Sequence, residues 1–235
     1  MEDIYNIIKR DVFGKMNRDV SVLVANISVG GFQIVSFCSN KWMRVGQSIT
    51  DLSSNAWLIT AIAENGDVTL KVPTAIADLV KRQVLKVIAP KFLFGTHRSA
   101  NNEFTMKIGN DIDVLPLCWL VENIEEQEYN SNESSKEREA NIRLYFLDYS
   151  DVSEYLNEDY RLNVVSPMIA LKDEFIRVID ADRVFDGTNN RRTRPITRFG
   201  NENEKGVFEN ILNHDLSGVE LKINIHRYRT GECKC

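Results

Sequence analysis

The sequence predicts an α+β protein: a mixed or antiparallel sheet with packed helices, plus a small antiparallel β-module near the N-terminus. Three observations predict this class. Residues 20–72 alternate apolar and polar positions in short runs. Residues 115–121 form an almost wholly apolar run, which suits a strand buried on both faces. Residues 168–178 place apolar side chains at three- and four-residue steps, as a helix packed on a core does.

An amphipathic helix is expected at the N-terminus, and we assign residues 1–19 to it. Charged residues fill much of one helical face between residues 3 and 16. The opposite face carries Ile4, Ile7, Ile8, Val12 and Met16. Such a segregated helix packs its apolar face against the rest of a fold.

The β-module is predicted for residues 20–72, and it could form a barrel. Its clearest signal is Asn65-Gly66 between the apolar runs 56–63 and 68–72, because both residues tolerate positive φ in a hairpin turn. Residues 73–89 are predicted to be a helical connector. Within it, a short helix over 74–85 is expected from the spacing of Ile76, Leu79, Val80 and Val84.

Residues 90–235 are predicted to form an α/β domain. Strands are expected at 92–94, 115–121 and 140–147, and a last strand with one wet face at 219–225. Between them, Ser166-Pro167 should open a helix, since serine caps free amides and proline fits the first turn. The core-facing stripe of that helix is expected to be Met168, Leu171, Phe175 and Val178.

Two segments of opposite charge are predicted to be long loops. Residues 125–139 are rich in glutamate and poor in apolar residues, which predicts a mobile loop or a long hairpin tip. Residues 186–205 are rich in glycine, asparagine and arginine. The candidate interface residues of these two segments are Glu125, Glu126, Glu128, Arg191, Arg192, Arg194 and Arg198.

Three interpretations of the arginine cluster stay open at this point. Guanidinium groups bind phosphate and carboxylate alike, so the cluster either lines a DNA channel or binds a neighbouring subunit. The third interpretation is a solvated loop. Opposite charges on two segments of one chain favour a head-to-tail contact, which closes into a ring when the rotation permits.

Composition and motifs exclude several classes. The net charge of −5 argues against a nucleic-acid grip by the whole protein. The N-terminal segment lacks the apolar core of a signal peptide, and no apolar run approaches the ~20 residues that span a bilayer. The chain is therefore expected to be soluble. Glycine-rich phosphate loops, nucleophile elbows and zinc-protease motifs are absent from the sequence.

We assign no catalytic, cofactor or metal residue. The cysteines Cys38 and Cys118 lie in apolar runs and should stay reduced, while the terminal Cys233-Lys-Cys235 has no histidine at ligand spacing. A metal-dependent hydrolase remains an alternative because Asp148 and Asp151 follow a strand and His97 lies in a polar segment.

One family resemblance emerges from the second half. It depends on three longer segments, Phe92-Leu-Phe-Gly-Thr-His97, Pro116-Leu-Cys-Trp-Leu-Val-Glu122 and Leu144-Tyr-Phe-Leu-Asp148. Three shorter segments add to it: Asn102-Glu103, Tyr160-Arg-Leu and Ser166-Pro-Met168. This series resembles ring proteins of the tail barrel in crAss-like bacteriophages, over about residues 90–180. It is also similar to the tail-terminator and tail-completion group.

The resemblance implies a structural virion protein and no cofactor. Such a protein forms a homo-oligomeric ring below the portal, beside other ring or tail proteins, around the conduit for DNA ejection. It would be assembled in the host bacterial cytoplasm and located in the virion. A tail terminator, a head-completion protein and a nucleic-acid-binding module are the other candidates.

Overall fold

The computed structural model describes residues 4–74, 76–96, 115–122, 124–131, 135–150, 160–182, 185–196, 199 and 216–227. For 126–131, 135–138, 186–189 and 227 it describes the backbone only. The described residues belong to two compact units. One draws on Asn17–Ala89 and Ser150–Leu171, and the other on Met1–Met16, Pro90–Tyr149 and Lys172–Cys235.

Six short antiparallel strands close into a barrel in the first unit. They are β1 (Asp19–Ala25), β2 (Phe32–Phe37), β3 (Ser48–Thr50), β4 (Ala56–Ile62), β5 (Val68–Lys71) and β6 (Val84–Lys86). Their order around the barrel is β1-β2-β5-β4-β3-β6. Closure follows because β6 pairs with β1 on one side and with β3 on the other.

The barrel confirms the predicted β-module and its hairpin. Strands β4 and β5 pair antiparallel, and Gly66 in their turn has φ +87°, a conformation that glycine adopts without steric penalty. Alternate residues of the strands point inward, as a strand's period of two requires. The buried side chains include Val20, Val22, Val35, Trp57, Ile59, Leu70 and Leu85.

The helix predicted over residues 74–85 is wrong. The described part of this segment holds no helix, and its end forms strand β6. Leu79 is buried, and its backbone amide and carbonyl both bond the side-chain amide of Gln33, at 2.9 and 2.8 Å. Because Gln33 supplies the partners that a helical turn would supply, the helical spacing of apolar residues here was misleading.

The N-terminal segment confirms the predicted apolar face but is an irregular helix. A four-residue α-helix, α1 (Ile4–Ile7), continues as a π-helical stretch (Ile8–Val12) and a 3₁₀ turn (Phe13–Lys15). All five predicted apolar residues are buried. Tyr5 contacts the rings of Phe92 and Phe94, with centroids 5.8 and 4.7 Å away.

The second unit contains a six-stranded sheet. Its strands are β7 (Lys91–Gly95), β8 (Leu117–Val121), β9 (Glu125–Ser131), β10 (Ser135–Tyr149), β11 (Phe185–Ile196) and β12 (Leu216–Arg227). The order is β11-β12-β10-β8-β7, with β9 pairing with β10. Strands β7 and β8 are parallel and all other pairs are antiparallel. The sheet is therefore mixed, as predicted.

Both faces of this sheet bury aromatic side chains. On one face Trp119, Tyr145 and Phe199 form a cluster with centroid distances of 4.8–5.6 Å. On the other face the ring of Phe146 meets that of Phe175 edge to face at 5.6 Å. Phe175 lies on helix α2 (Ser166–Ala181), so this contact packs the helix against strand β10.

Helix α2 confirms the predicted stripe but not the predicted start. Met168, Leu171, Phe175 and Val178 are all buried. Ser166, however, has φ −63° and ψ −45°, and a π-helical stretch (Arg161–Val165) precedes it. A capping residue has extended rather than helical dihedrals, so Ser166 lies inside the helix.

Two further predictions need correction and a third is decided between its alternatives. The segment 186–205 was expected to be a loop, yet residues up to Ile196 form strand β11. For the acidic segment, predicted to be a mobile loop or a long hairpin tip, the pairing of β9 with β10 confirms the hairpin. The predicted wet face of β12 over 219–225 is exposed only in part: the Lys222 side chain is 49% exposed, whereas Glu220 and Asn224 on the same face are buried.

Candidate functional site

A row of three basic residues crosses the centre of the second sheet. Arg192 on β11 is the register partner of Lys222 on β12, and Lys222 is the partner of Arg143 on β10. Register partners on adjacent strands lie ~4.5–5.5 Å apart at Cβ, where like charges repel. A compensating negative charge is therefore expected close to this basic row.

Glu220 supplies that charge. Its carboxylate forms an ion pair with Arg143, whose Nε lies 2.6 Å away, and it lies 3.6 Å from Arg194 Nε and 3.8 Å from Lys222 Nζ. The side chain of Glu220 is only 6% exposed. The Tyr145 hydroxyl lies 3.5 Å from the same carboxylate. One buried acid thus holds two arginines and a lysine on one side of the sheet.

A bulge in β11 sets the direction of its arginines. Between Asn189 and Arg192, strand β11 has one residue more than β12 has between Asn224 and Lys222. Asn190 takes up the extra residue at φ +53°, which asparagine tolerates better than most residues. As a result Arg192 joins the basic row, while Arg191 pairs with Asp180 of helix α2.

A basin of about 820 Å³ opens over this row. The buried side chain of Asn224 lines this basin, and its Oδ1 accepts no hydrogen bond from the part of the chain that the structure describes. The lining of the basin is basic along Arg192, Lys222 and Arg143, and it is acidic where Glu122 and Glu125 lie. A surface with both signs of charge suits a protein partner better than the uniformly negative backbone of DNA.

The predicted site residues are partly brought together. Arg192 and Glu125 line the same basin, and Arg194 lies beside it on Glu220. Arg191 lies apart, on Asp180. Glu126 and Glu128 belong to β9, where only the backbone is described, and Arg198 lies outside the described residues.

Two predicted interface arginines already have carboxylate partners within the chain, namely Arg191 and Arg194. Arg192 differs from them, because it has no ion-pair partner among the described side chains. It is also exposed, as are its neighbours from 190 to 195. Of the predicted arginines that the structure describes, Arg192 is thus the one available to another molecule.

Sequence reasoning missed four residues of this site. Arg143, Glu220, Lys222 and Asn224 are polar positions within apolar strands, and such positions usually face water. Their signal was present in the alternation of residues 219–225. The alternation could not show that β12 is an interior strand, so its polar side chains meet basic neighbours on both sides.

The barrel carries a second candidate surface, which we call the apolar hairpin: Leu23, Val24, Ile27, Val29, Phe32 and Ile34. All six side chains are exposed, Ile27 at 85% and Val29 at 80%. Backbone hydrogen bonds join Val29 to Phe32 and Asn26 to Ile34, so the six residues lie on one β1–β2 hairpin. Several large apolar side chains exposed on one hairpin make this surface a candidate interaction site.

The residues of the alternative hydrolase site are only partly described. They contain no group of three side chains that could hold a metal ion. Asp148 is buried on β10, while Asp151 and His97 lie outside the described residues. Burial raises the pKa of the Cys118 thiol well above its ordinary value, which disfavours the reactive thiolate.

No helix in the described part of the chain is long and apolar enough to cross a membrane. Comparisons with protein-family models, curated proteins and solved structures found no match to this chain.

Proposed function

We propose that this chain is a non-enzymatic structural subunit of a bacteriophage neck or tail. In this proposal it forms a homo-oligomeric ring of the tail barrel below the portal, part of the conduit for DNA ejection. Its neighbours would be the portal or other ring and tail proteins. A tail terminator or head-completion protein is the alternative placement for the same kind of subunit.

The apolar hairpin is the observation that carries the proposal. Fully burying one Val, Leu, Ile or Phe side chain stabilises a protein by about 1.5–3 kcal/mol. Six such side chains on one hairpin of the barrel are exposed instead. A partner that covers them would gain several kcal/mol, which a subunit of a permanent assembly can use and a lone monomer cannot.

The residues behind the family resemblance support the same proposal. Three of these segments lie on the adjacent strands β7, β8 and β10, namely Phe92–Phe94, Leu117–Val121 and Leu144–Asp148. The resemblance therefore rests on a contiguous part of one sheet rather than on scattered segments. His97, Asn102 and Glu103 lie outside the described residues and contribute nothing to this support.

The experiment measures the mass of the purified full-length chain, alone and with candidate neck and tail proteins, by native mass spectrometry and electron microscopy. A closed ring is the expected result. Replacing Ile27 and Val29 with serine should abolish the contact made by the hairpin, because both side chains are nearly fully exposed. The folded barrel should keep its thermal stability, since neither residue contributes to its core.

Leu52→Ser is the matched control, because Leu52 is also a large exposed side chain (79%) of the barrel but lies outside the hairpin. It should assemble like the wild type. A wild-type chain that stays monomeric with every neighbour and in the mature particle would contradict the proposal. So would unchanged assembly of the Ile27→Ser, Val29→Ser variant in every complex.

The basic row favours a second candidate, a contact with the phosphate backbone of DNA. Arg192, Lys222 and Arg143 form a continuous cationic strip across three strands. Binding of this kind weakens steeply as the salt concentration rises, because the counterions that binding releases then gain less entropy. Salt-dependent binding of duplex DNA by the isolated chain, lost in Arg192→Gln, would favour this candidate over a protein contact.

A further inference from the structure

We infer that successive copies of this chain join head to tail, with the β11 edge of one sheet against the β9 edge of the next. This contact rests on the proposed ring and names how its subunits meet. The partner is a second copy of the same chain. Its recognition is ionic, between an arginine-rich strand and a glutamate-rich strand.

The two strands lie at opposite edges of one sheet. Residues 138–141 of β10 pair with β12 on one side and with β9 on the other. Strand β11 lies beyond β12. Among the strands that the structure describes, β11 pairs with β12 alone and β9 with β10 alone. A straight line across this end of the sheet therefore runs from residues 185–189 of β11 to β9, and Arg192 lies two rows beyond the row of Glu125, in the row of Arg143.

The charges of the two edges are complementary. Strand β11 contains three arginines and one aspartate, whereas β9 contains three glutamates and no basic residue. Residues 190–195 of β11 and Glu125 of β9 are exposed. Opposite potentials on two surfaces steer their encounter and fix their register.

Complementarity of this kind selects the symmetry of the contact. A two-fold contact would place each edge against its own copy, arginine against arginine or glutamate against glutamate. A head-to-tail contact places unlike edges together, and it can repeat from one copy to the next until the ring closes. The charge pattern thus favours a ring over an isolated dimer.

The contact is made by side chains rather than by a continuous backbone ladder. Strand β11 contains two bulges, between Phe185 and Thr188 and between Asn189 and Arg192, and Pro195 has no amide hydrogen to donate. Bulges, proline and charged residues are the features that keep edge strands from pairing indiscriminately. They leave guanidinium groups as the chemistry of this edge.

Arg192 is the main determinant on the basic edge. Arg191 and Arg194 pair with Asp180 and Glu220 of their own chain, and Arg192 has no carboxylate partner in the described structure. A guanidinium binds a carboxylate through two parallel hydrogen bonds, which gives both strength and orientation. A glutamate of the adjoining copy's β9 would complete this pair.

The test reverses charge on the full-length chain and follows assembly by native mass spectrometry. One variant carries Arg192→Glu, and a second carries Glu126→Arg with Glu128→Arg. Each should weaken self-association at least tenfold, because each replaces opposite net charges on the two edges with like charges. A third variant with all three substitutions should associate again, and so should an equimolar mixture of the first two, in alternating order.

Arg161→Glu is the matched control, because it reverses an exposed arginine of the π-helical stretch Arg161–Val165, outside the six-stranded sheet. It should associate like the wild type. Raising ionic strength should dissociate wild-type rings and leave the thermal unfolding of the subunit unchanged.

The proposed contact would be overturned if both edge variants associated as strongly as the wild type. It would also be overturned if the triple variant folded but did not regain self-association. A ring that does not dissociate as ionic strength rises would also overturn it. In each of these cases a wild-type ring still forms, so the proposed function stands. A wild-type chain that never assembles overturns the proposed function itself.

Discussion

The guanidinium of Arg143 forms an ion pair with the buried carboxylate of Glu220, with Nε 2.6 Å from Oε1. These residues lie on adjacent strands, β10 and β12, and Tyr145 and Arg194 complete the surroundings of the acid. Because Glu220 is buried and Arg143 is 41% exposed, water screens only one partner. The pair therefore orders the basic row and also contributes to the stability of the sheet.

We predict that Glu220→Ala lowers the free energy of unfolding by about 1–3 kcal/mol, the range for removing one partner of a buried polar interaction. The variant removes the carboxylate that pairs with Arg143 and leaves three cations together. A double-mutant cycle with Arg143→Met, measured by denaturant unfolding, isolates the pair. Additive effects of the two substitutions would show that Arg143 and Glu220 do not interact.

Gly218 is predicted to tolerate no side chain. An ideal Cβ at this position would lie 1.9 Å from the carbonyl oxygen of Phe146, a backbone atom that cannot rotate away. Gly218→Ala should therefore separate β12 from β10 and lower the free energy of unfolding by about 2 kcal/mol or more, as overpacked sites do, which denaturant unfolding measures.

Gly14→Ala is the control for this steric prediction. A Cβ at Gly14 would meet only the Lys9 carbonyl oxygen, at 3.6 Å, an ordinary contact. It should leave stability unchanged or raise it by up to about 1 kcal/mol, because alanine is the better helix former. Equal destabilisation by the two substitutions would count against the close approach at Gly218.

Phe146 and Phe175 are predicted to contribute about 3–5 kcal/mol each to folding, the usual loss when a buried phenylalanine is cut to alanine. Both are fully buried and their rings contact edge to face. Because they share one contact, the double variant should lose less than the sum of the single variants. Denaturant titration measures the three losses.

The control on the same helix is Ile169→Ala, because Ile169 is 38% exposed. Its loss should stay below that of Phe175→Ala. Thermal unfolding that barely moves in both phenylalanine variants would mean that helix α2 does not pack on strand β10.

The sequence predicted the elements that local periodicity decides. The alternation around Val20 and Val22, the Asn65-Gly66 turn and the stripe from Met168 to Val178 all depend on residues near each other in the chain. The period alone indicates such elements, so strands β1, β2, β4 and β5, the hairpin and the buried stripe of helix α2 were predicted, whereas β3 and β6 were not.

Elements decided by distant partners were missed. Leu79 belongs to a set of apolar residues with helical spacing, but its backbone amide and carbonyl bond the side chain of Gln33, 46 residues away in the sequence. Strand β11 has the composition of a loop, and it is ordered by pairing with β12. The basic row has the same origin, because only the register of three strands brings Arg143, Lys222 and Arg192 together. Periodicity carries no information about such register.

Tyr145 is predicted to lose its phenolic proton later than an exposed tyrosine. Burial raises the pKa of its hydroxyl, the charge of Arg143 lowers it, and Glu220 raises it again. The folded state therefore holds this proton more tightly than the unfolded state does. The resulting stability is present below about pH 10, the ordinary value for tyrosine, and is lost as pH rises through the higher folded pKa.

The measurement is the near-ultraviolet absorbance of tyrosinate during an alkaline titration, with Tyr145→Phe subtracted to isolate the one residue. Glu220→Gln should lower the pKa of Tyr145, because it removes a negative charge beside the phenol. Arg143→Gln should raise it, because it removes a positive one. The two shifts have opposite signs, which a general loosening of the sheet cannot produce: greater exposure would lower the pKa in both variants. A shift in the same direction in both would therefore disprove the placement of Tyr145 between these charges.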